Sequence, residues 1–340
     1  MAPGAARRSG AKRPTLDVVA ARAGVSKSSV SRVVNGEHTV APEIRDVVMR
    51  AVRELGYVPN AAARKLVTRR TDAIAMVVSD PPQGVLSDDP LFSTVVRAAS
   101  RELEAADKQV VLMLAESDRS RARVESYVAA GNVDGVLLLS LHGADPLPAL
   151  LARTSLPIVS FGRTAAPAVP YVDLDNVGGA DLAVRHLLNR GRKRIATVTG
   201  PLDLSDARER LAGYRETLGA TGRRPLVALG DFTRISGAEA MRQLLADEPS
   251  LDAVFAANDL MAIGALRTLR EMGRRVPDDV AVVGFDDIEA AAYSAPPLTT
   301  VRSPMADQAS AAVRLLLGLL AGQALEPVIM PNELVVREST

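Results

Sequence analysis

The sequence predicts a small all-α head followed by an α/β body of two doubly wound parallel sheets, and three observations carry that prediction. Two short helical patterns joined at Gly24 open the chain, apolar runs alternate with amphipathic helical stretches from Ala73 onward, and charge is divided unevenly between the two parts. Net charge is only +1, yet residues 1–72 carry 14 Lys and Arg against 6 Asp and Glu, while the remainder is net acidic. A basic head on an acidic body puts the polyanion-binding surface at the N-terminus.

Thr15 to Asn35 holds the two helical patterns. Leu16, Val19, Ala20 and Ala23 recur at the spacing of one helix face, and Val30, Val33 and Val34 give a second. Ala23-Gly24-Val25 supplies the turn, and Ser26 is an N-cap for a helix opening Lys27-Ser28-Ser29. This is the layout of a DNA-binding helix-turn-helix, in which the first side chains of the second helix reach base edges in the major groove. Pattern alone also allows a plain helical hairpin, and the charge division weighs against it. Pro42 opens a third helix whose stripe is Ile44, Val47, Val48, Ala51 and Leu55, with Gly56 to stop it. His38 falls in the intervening turn and reads as solvated.

Asn60 then leads into AAARKL, a segment shorter than the ~12–15 residues an isolated helix needs in water. A hinge that becomes helical on DNA and an ordinary linker are equally compatible with that composition.

In the body, 74–78, 110–114, 135–139 and 157–161 read as buried parallel strands, with helices near 92–107, 120–130 and 146–153. After 171–175 the alternation restarts, with strands at 194–199, 226–229, 253–256 and 280–284 and helices at 177–190, 207–219, 236–246 and 259–272. A helix at 304–321 and one strand at 328–336 finish the chain. Repeated βαβ units of this number make two sheets.

Ligands of open α/β sheets bind beyond the carboxyl ends of the strands. Those ends carry Ser79, Asp80, Ser140, His142, Gly162, Arg163, Gly200, Asp231, Phe232, Asn258, Asp259, Asp286 and Asp287. Carboxylates, an amide, an arginine and an aromatic ring suit a polyhydroxylated ligand. Asn258 and Asp286 also precede helical stretches and serve equally as caps; Asp231 and Asp287 read as structural, and His142 as without a specific role.

The chain has no cysteine, which excludes disulfides and thiolate metal sites. MAPGAARRSGAKRP lacks an apolar core and reads as a basic tail rather than a secretion signal. No segment reaches the ~18 apolar residues of a membrane span, so a cytoplasmic protein without membrane contact is expected. Phosphate-loop, dinucleotide, zinc-protease and serine-hydrolase motifs are missing, so no cofactor and no metal are expected, and the cleft reads as binding rather than catalytic.

The stretches TLDVVAARAGVSKSSVSRVVNG, YVPNAAARKLVTRRTDAIAMVV, GPLDLSDARERLAGY, FAANDLMAIGAL, RRVPDDVAVVGFDD and PPLTTVRSP together resemble the LacI/GalR family of transcriptional regulators, in its sugar-responsive form. The resemblance runs from about Thr15 to Ser339. It implies a homodimeric repressor on palindromic operator DNA, with a body like the type I periplasmic binding proteins and a small-molecule effector. Residues 1–14 would be a disordered tail, 15–59 the DNA-binding domain, 60–72 the hinge and 73–340 the effector-binding and dimerisation domain. One subdomain would take about 73–174 plus 302–325, the other about 175–299 plus 328–338. Lys27, Ser28 and Arg32 match base-reading positions, and Ser26, Ser31 and Asn35 phosphate-contacting ones. Ala63 and Leu66 match hinge positions at the DNA, Leu66 as the wedge in a central minor-groove step. Arg208, Asn258, Asp286 and Phe232 match effector-binding positions, Phe92 a ring on the opposite wall and Arg163 a variable polar position. Leu204 stands where purine-responsive relatives carry arginine, which points away from a purine.

Four departures stand out. Val18, with Asp17 one place early, loses the capping box of the first helix, and Ala41 replaces the usual cap serine of the third at a cost of ~1 kcal/mol. The long 81–88 loop is placed to shape the pocket. The chain ends without a heptad tail, so a dimer rather than a tetramer is expected. A corepressor, nucleoside or sugar-phosphate effector remains an alternative, as do a solute-binding protein and a carbohydrate-active enzyme.

Overall fold

The computed structural model describes residues 14–34, 40–58, 70–79, 90–139, 142–143, 145–164, 166 and 169–340. The expected hinge at 60–66, the 81–88 loop, and Asn35, His38, Asp80 and Ser140 lie outside the described residues. The chain divides into two compact units, Met1–Thr71 and Asp72–Thr340.

The first unit contains α1 (Leu16–Ala23), α2 (Lys27–Val34) and α3 (Pro42–Leu55). Gly24 ends α1 at φ 68°, a left-handed conformation that glycine adopts without steric cost. Val19, Val30 and Val48, one from each helix, close the core with Ala51 and Tyr57.

In the second unit one sheet is formed by β1 (Ala73–Val78), β2 (Gln109–Leu114), β3 (Gly135–Leu139), β4 (Ile158–Phe161), β5 (Tyr171–Leu174) and β11 (Val328–Met330), in the order β2-β1-β3-β4-β5-β11. All its pairs are parallel. β1 is buried along its whole length because alternate side chains enter two cores. Ile74, Met76 and Val78 pack under α4 (Pro90–Ala105) and α12 (Met305–Leu320). Ala75 and Val77 meet α5 (Asp118–Ala129) and α6 (Leu147–Leu151) on the other face.

The second sheet runs β7 (Leu226–Leu229), β6 (Ile195–Thr199), β8 (Ala253–Ala256), β9 (Ala281–Asp286), β10 (Thr299–Arg302), β12 (Glu333–Val335), with only the β10–β12 pair antiparallel. α7 (Asn176–Asn189) and α8 (Ser205–Gly219) cover one face, and α9 (Arg234–Asp247) and α10 (Asp259–Glu271) the other. A single helical turn, α11 (Glu289–Ala292), follows β9.

The single strand expected over 328–336 is two strands in different sheets. Pro331 and Asn332 separate them, and Val328–Met330 pairs with β5, so these residues belong to the first subdomain rather than the second. Pro331 has no N–H to continue a ladder, which makes the break physical. The chain therefore passes between the sheets three times, after β5, after β10 and after β11. No helix among the described residues is long and apolar enough to cross a membrane.

Candidate functional site

In the first unit, Ser26, Lys27, Ser28 and Arg32 are exposed and Ser31 is half-buried, while Val30 and Val33 turn into the core. Residues 28 and 32, and 27 and 31, are each one helical turn apart, so α2 presents one polar face. Ser26 Oγ accepts from the Ser29 N–H at 3.1 Å, which makes it the cap of α2. Lys27 Nζ is held 3.0 Å from Asp17 Oδ2, an exposed pair that DNA phosphates can exchange. Thr15 and Ala41 make no side-chain capping bond, in line with the departures read from Val18 and Ala41. Asn35, Ala63 and Leu66 lie outside the described residues.

In the second unit the carboxyl ends of the strands converge on a cavity of about 160 Å³. Phe92, Arg163, Phe232, Asn258 and Asp286 all line it, as does Leu204. Arg208 does not. It faces a neighbouring space, and its Nη1 donates to the Leu202 carbonyl at 3.1 Å. The arginine that α8 places in the cavity is Arg210, because two residues along a helix turn a side chain by about 200°. Arg210 is 5% exposed and joins the walls together. Its Nε donates to Asn176 Oδ1 at 2.9 Å, its Nη1 donates to the Ala257 carbonyl at 2.6 Å and lies 3.4 Å from Asp286 Oδ1, and its guanidinium stacks 3.7 Å from the Phe285 ring. A signal for it was present in the sequence: 207, 210, 211, 214, 217 and 218 form the buried stripe of α8, and a charge on such a stripe needs partners.

Asn258 caps a helix and also lines the cavity. Its Oδ1 accepts from Met261 N at 2.9 Å as the cap of α10, and its Nδ2 donates to the Phe232 carbonyl at 2.9 Å. Asp286 is not the cap of α11; that position is Ile288. It accepts from Ser303 Oγ at 3.1 Å, and burial raises its pKa against the lowering pull of Arg210. Behind it, burial followed by the Asp286 charge holds Asp259 well above the carboxylate range. Asp231 and Asp287 are structural: the first accepts from Thr233 N at 2.9 Å, the second pairs with Arg302 and Arg337.

Asp173 was not singled out in the sequence. It lies on β5, 2% exposed, and lines the cavity. Its Oδ1 accepts from Leu174 N at 2.8 Å; Oδ2 makes no hydrogen bond among the described residues and lies 3.2 Å from Arg163 Nε. Burial, then the charges of Asp206 and Glu209, raise its pKa to about 7. Arg163 also reaches to 3.4 Å from Glu209 Oε1, linking the segment after β4 to α8 across the cleft. His142, which the sequence left without a role, pairs with Asp203 at 2.5 Å, and Gly143 N donates to the Asp203 carbonyl at 2.8 Å. These contacts hold the two subdomains together at the mouth of the cleft.

The cavity thus offers carboxylate acceptors, guanidiniums and amides between phenyl rings, a set suited to a hydroxylated ring.

Residues 15–60 match the model for bacterial regulatory proteins of the lacI family, and residues 184–340 that for the periplasmic binding protein-like domain. The HTH-type transcriptional regulator CelR of Thermobifida fusca is 48% identical over 336 residues, 96% of this chain and 98% of that protein. The ribose operon repressor of Escherichia coli strain K12 is 36% identical over 309 residues, 89% of this chain and 92% of that one. Among solved structures, a complex of the transcriptional regulator CelR with cellobiose aligns at TM-score 0.76 and 46% identity, covering 96% of this chain and 100% of that one. The lac repressor dimer bound to operator and the anti-inducer ONPF aligns at TM-score 0.86 and 31% identity, covering 96% and 99%. The two parallel-sheet subdomains have the periplasmic binding protein-like fold, and with a matching head and these identities along nearly its whole length, the chain belongs to the lacI family of bacterial regulatory proteins.

Proposed function

We propose that the chain is a repressor of carbohydrate utilisation, a homodimer on a palindromic operator that is released when a sugar or oligosaccharide enters the cleft. The carrying observation is the paired Arg210 and Asp286 and the neighbouring Asn258 of the second subdomain, which line one cavity with Phe92 and Asp173 of the first. Donors and acceptors from both subdomains converge there, so a hydroxylated ligand bonded to both favours the closed form. The relative solved with cellobiose makes cellobiose the first sugar to test. Lys27, Ser28 and Arg32 are the base readers, Arg32 to a guanine giving the strongest discrimination, ~1–3 kcal/mol. Ser26, Ser31 and Asn35 position the head on phosphates, and Ala63 and Leu66 act at the minor groove. The same cleft binds rather than turns over its sugar.

The test is binding of the dimer to the DNA upstream of its own gene, with and without cellobiose. Cellobiose is expected to weaken binding about 5- to 150-fold, the usual range of allosteric coupling. Leu66→Ala is expected to bind weakly and not bend the DNA; bending like the parent's would remove the hinge from the mechanism. Cellobiose that tightens binding would make it a corepressor, and hydrolysis of cellobiose would make the cleft an enzyme's.

A further inference from the structure

Beside the cavity of Arg210 and Asp286 lies a second chamber of about 220 Å³, and Arg163 and Ser205 line both. Neither space alone reaches the ~300–1,000 Å³ of ordinary small-molecule sites, but the two together do. Their linings differ in chemistry. The first holds Phe92, Phe161 and Phe232; the second has no phenyl, phenol or indole ring and is bounded by His142, Asp145, Thr164, Asp203, Arg208 and Glu209. His142, Asp145 and Thr164 come from the first subdomain, and Asp203, Arg208 and Glu209 from the second, so an occupant bridges the cleft here too.

We propose that this chamber is the subsite for a second sugar ring and that Arg208 is the residue that selects for it. The inference rests on the sugar reading given above and adds the length of the ligand. Three carboxylates, Asp145, Asp203 and Glu209, against the guanidiniums of Arg163 and Arg208 leave no surplus of positive charge, which disfavours a sugar phosphate and fits a neutral pyranose. Asp145 is already engaged by Leu147 N at 2.8 Å and by Ser79 Oγ, so it forms a fixed wall. Arg208 is different: exposed, it donates one hydrogen bond to the Leu202 carbonyl, leaving further N–H donors of its planar fork for ring hydroxyls. The half-turn of α8 that sends Arg210 into the first space sends Arg208 into the second, so one helix reads both rings.

Calorimetric titration of the full chain with glucose, cellobiose and cellobiose phosphate tests this. The parent is expected to bind cellobiose at least about 10-fold more tightly than glucose, and more tightly than cellobiose phosphate. Arg208→Ala should lose about 10-fold for cellobiose and less than about twofold for glucose, the signature of a lost charged hydrogen bond confined to the second ring. Because Arg208 is exposed, the variant's thermal unfolding should match the parent's, and Arg208→Lys should recover part of the loss. Equal affinity of the parent for glucose and cellobiose, or an equal loss for both in Arg208→Ala, overturns the second-ring subsite while leaving the sugar reading intact. If neither sugar binds, the sugar reading itself falls and takes the subsite with it.

Discussion

Two arginines two positions apart, Arg208 and Arg210, differ in what their removal leaves behind. Truncating Arg210 strands the buried Asp286 carboxylate and the Ala257 carbonyl without their partner. Arg210→Ala is therefore expected to lower the stability of the second unit by about 3–5 kcal/mol in chemical denaturation, against a change within about 0.5 for exposed Arg208→Ala. Which of the two enters the cavity of Asp286 was hidden in the motif, because both are arginines on one helix; only the phase of the buried stripe separates them. Asp173 was illegible for another reason. Its character comes from burial on β5 and from Asp206 and Glu209 on α8, a neighbourhood that the order of residues does not state. Its raised pKa carries a pH signature. Near pH 4 to 7 the folded chain holds a proton at Asp173 that the unfolded chain has released, so this group's contribution to stability falls as pH rises through that window and is lost above about 7. Asp173→Asn keeps the shape and removes the charge. It should leave stability at pH 4 unchanged and raise it at pH 8, by at most about 4 kcal/mol, in denaturation curves taken across that range. Equal stability of parent and variant at pH 8 would place the Asp173 charge in solvent.

At the scale of elements, the strands that read most clearly were those buried on both faces. β1, β3 and β8 are continuous apolar runs because their side chains enter cores, and β9 is one as far as Phe285. β10 was missed because two of its three buried residues are polar: Thr299 and Thr300 are buried beside Val301, with Thr300 Oγ1 donating to Asp259 at 2.6 Å. Helix packing is set by contacts no periodicity reports. A Cβ on Gly264 of α10 would lie 2.1 Å from the Arg234 carbonyl of α9, and one on Gly237 of α9 would lie 2.3 Å from that of Met261. Both neighbours are backbone and cannot swing aside. Gly264→Ala should therefore cost about 1–3 kcal/mol or more by forcing α9 and α10 apart. Asn258 caps α10 and lines the cavity, so the same variant should also weaken cellobiose binding although residue 264 touches no ligand. In the head the opposite change is available. Ala41 leaves the N-terminus of α3 without a side-chain cap, and Ala41→Ser should stabilise the isolated transition of that unit by about 1 kcal/mol.

For the whole molecule, the uneven charge of the sequence is enough to separate the two functions along the chain, since a basic segment of this length has few uses besides binding a polyanion. The cleft was half legible: strand-end residues could be named, but which of them meet depends on three passages of chain between the sheets, and the third, expected near 325–328, lies between β11 and β12 instead. Each of the two units has its own apolar core, Val19, Val30 and Val48 in one and the faces of the two sheets in the other. Two cores imply two cooperative transitions. A ligand that binds only the folded second unit stabilises that unit alone, by about 2.7 kcal/mol at a free concentration of 100 times its dissociation constant. Calorimetry of the free protein should accordingly resolve a minor transition of the head and a major one of the body, with cellobiose moving only the major one and operator DNA the minor one. When both ligands are present, the major transition should move less than with cellobiose alone, because two ligands that oppose each other by about 1–3 kcal/mol must do so reciprocally. A cellobiose shift that is the same with and without operator would mean that the sugar site and the DNA site are not coupled, and release by sugar would be lost with it.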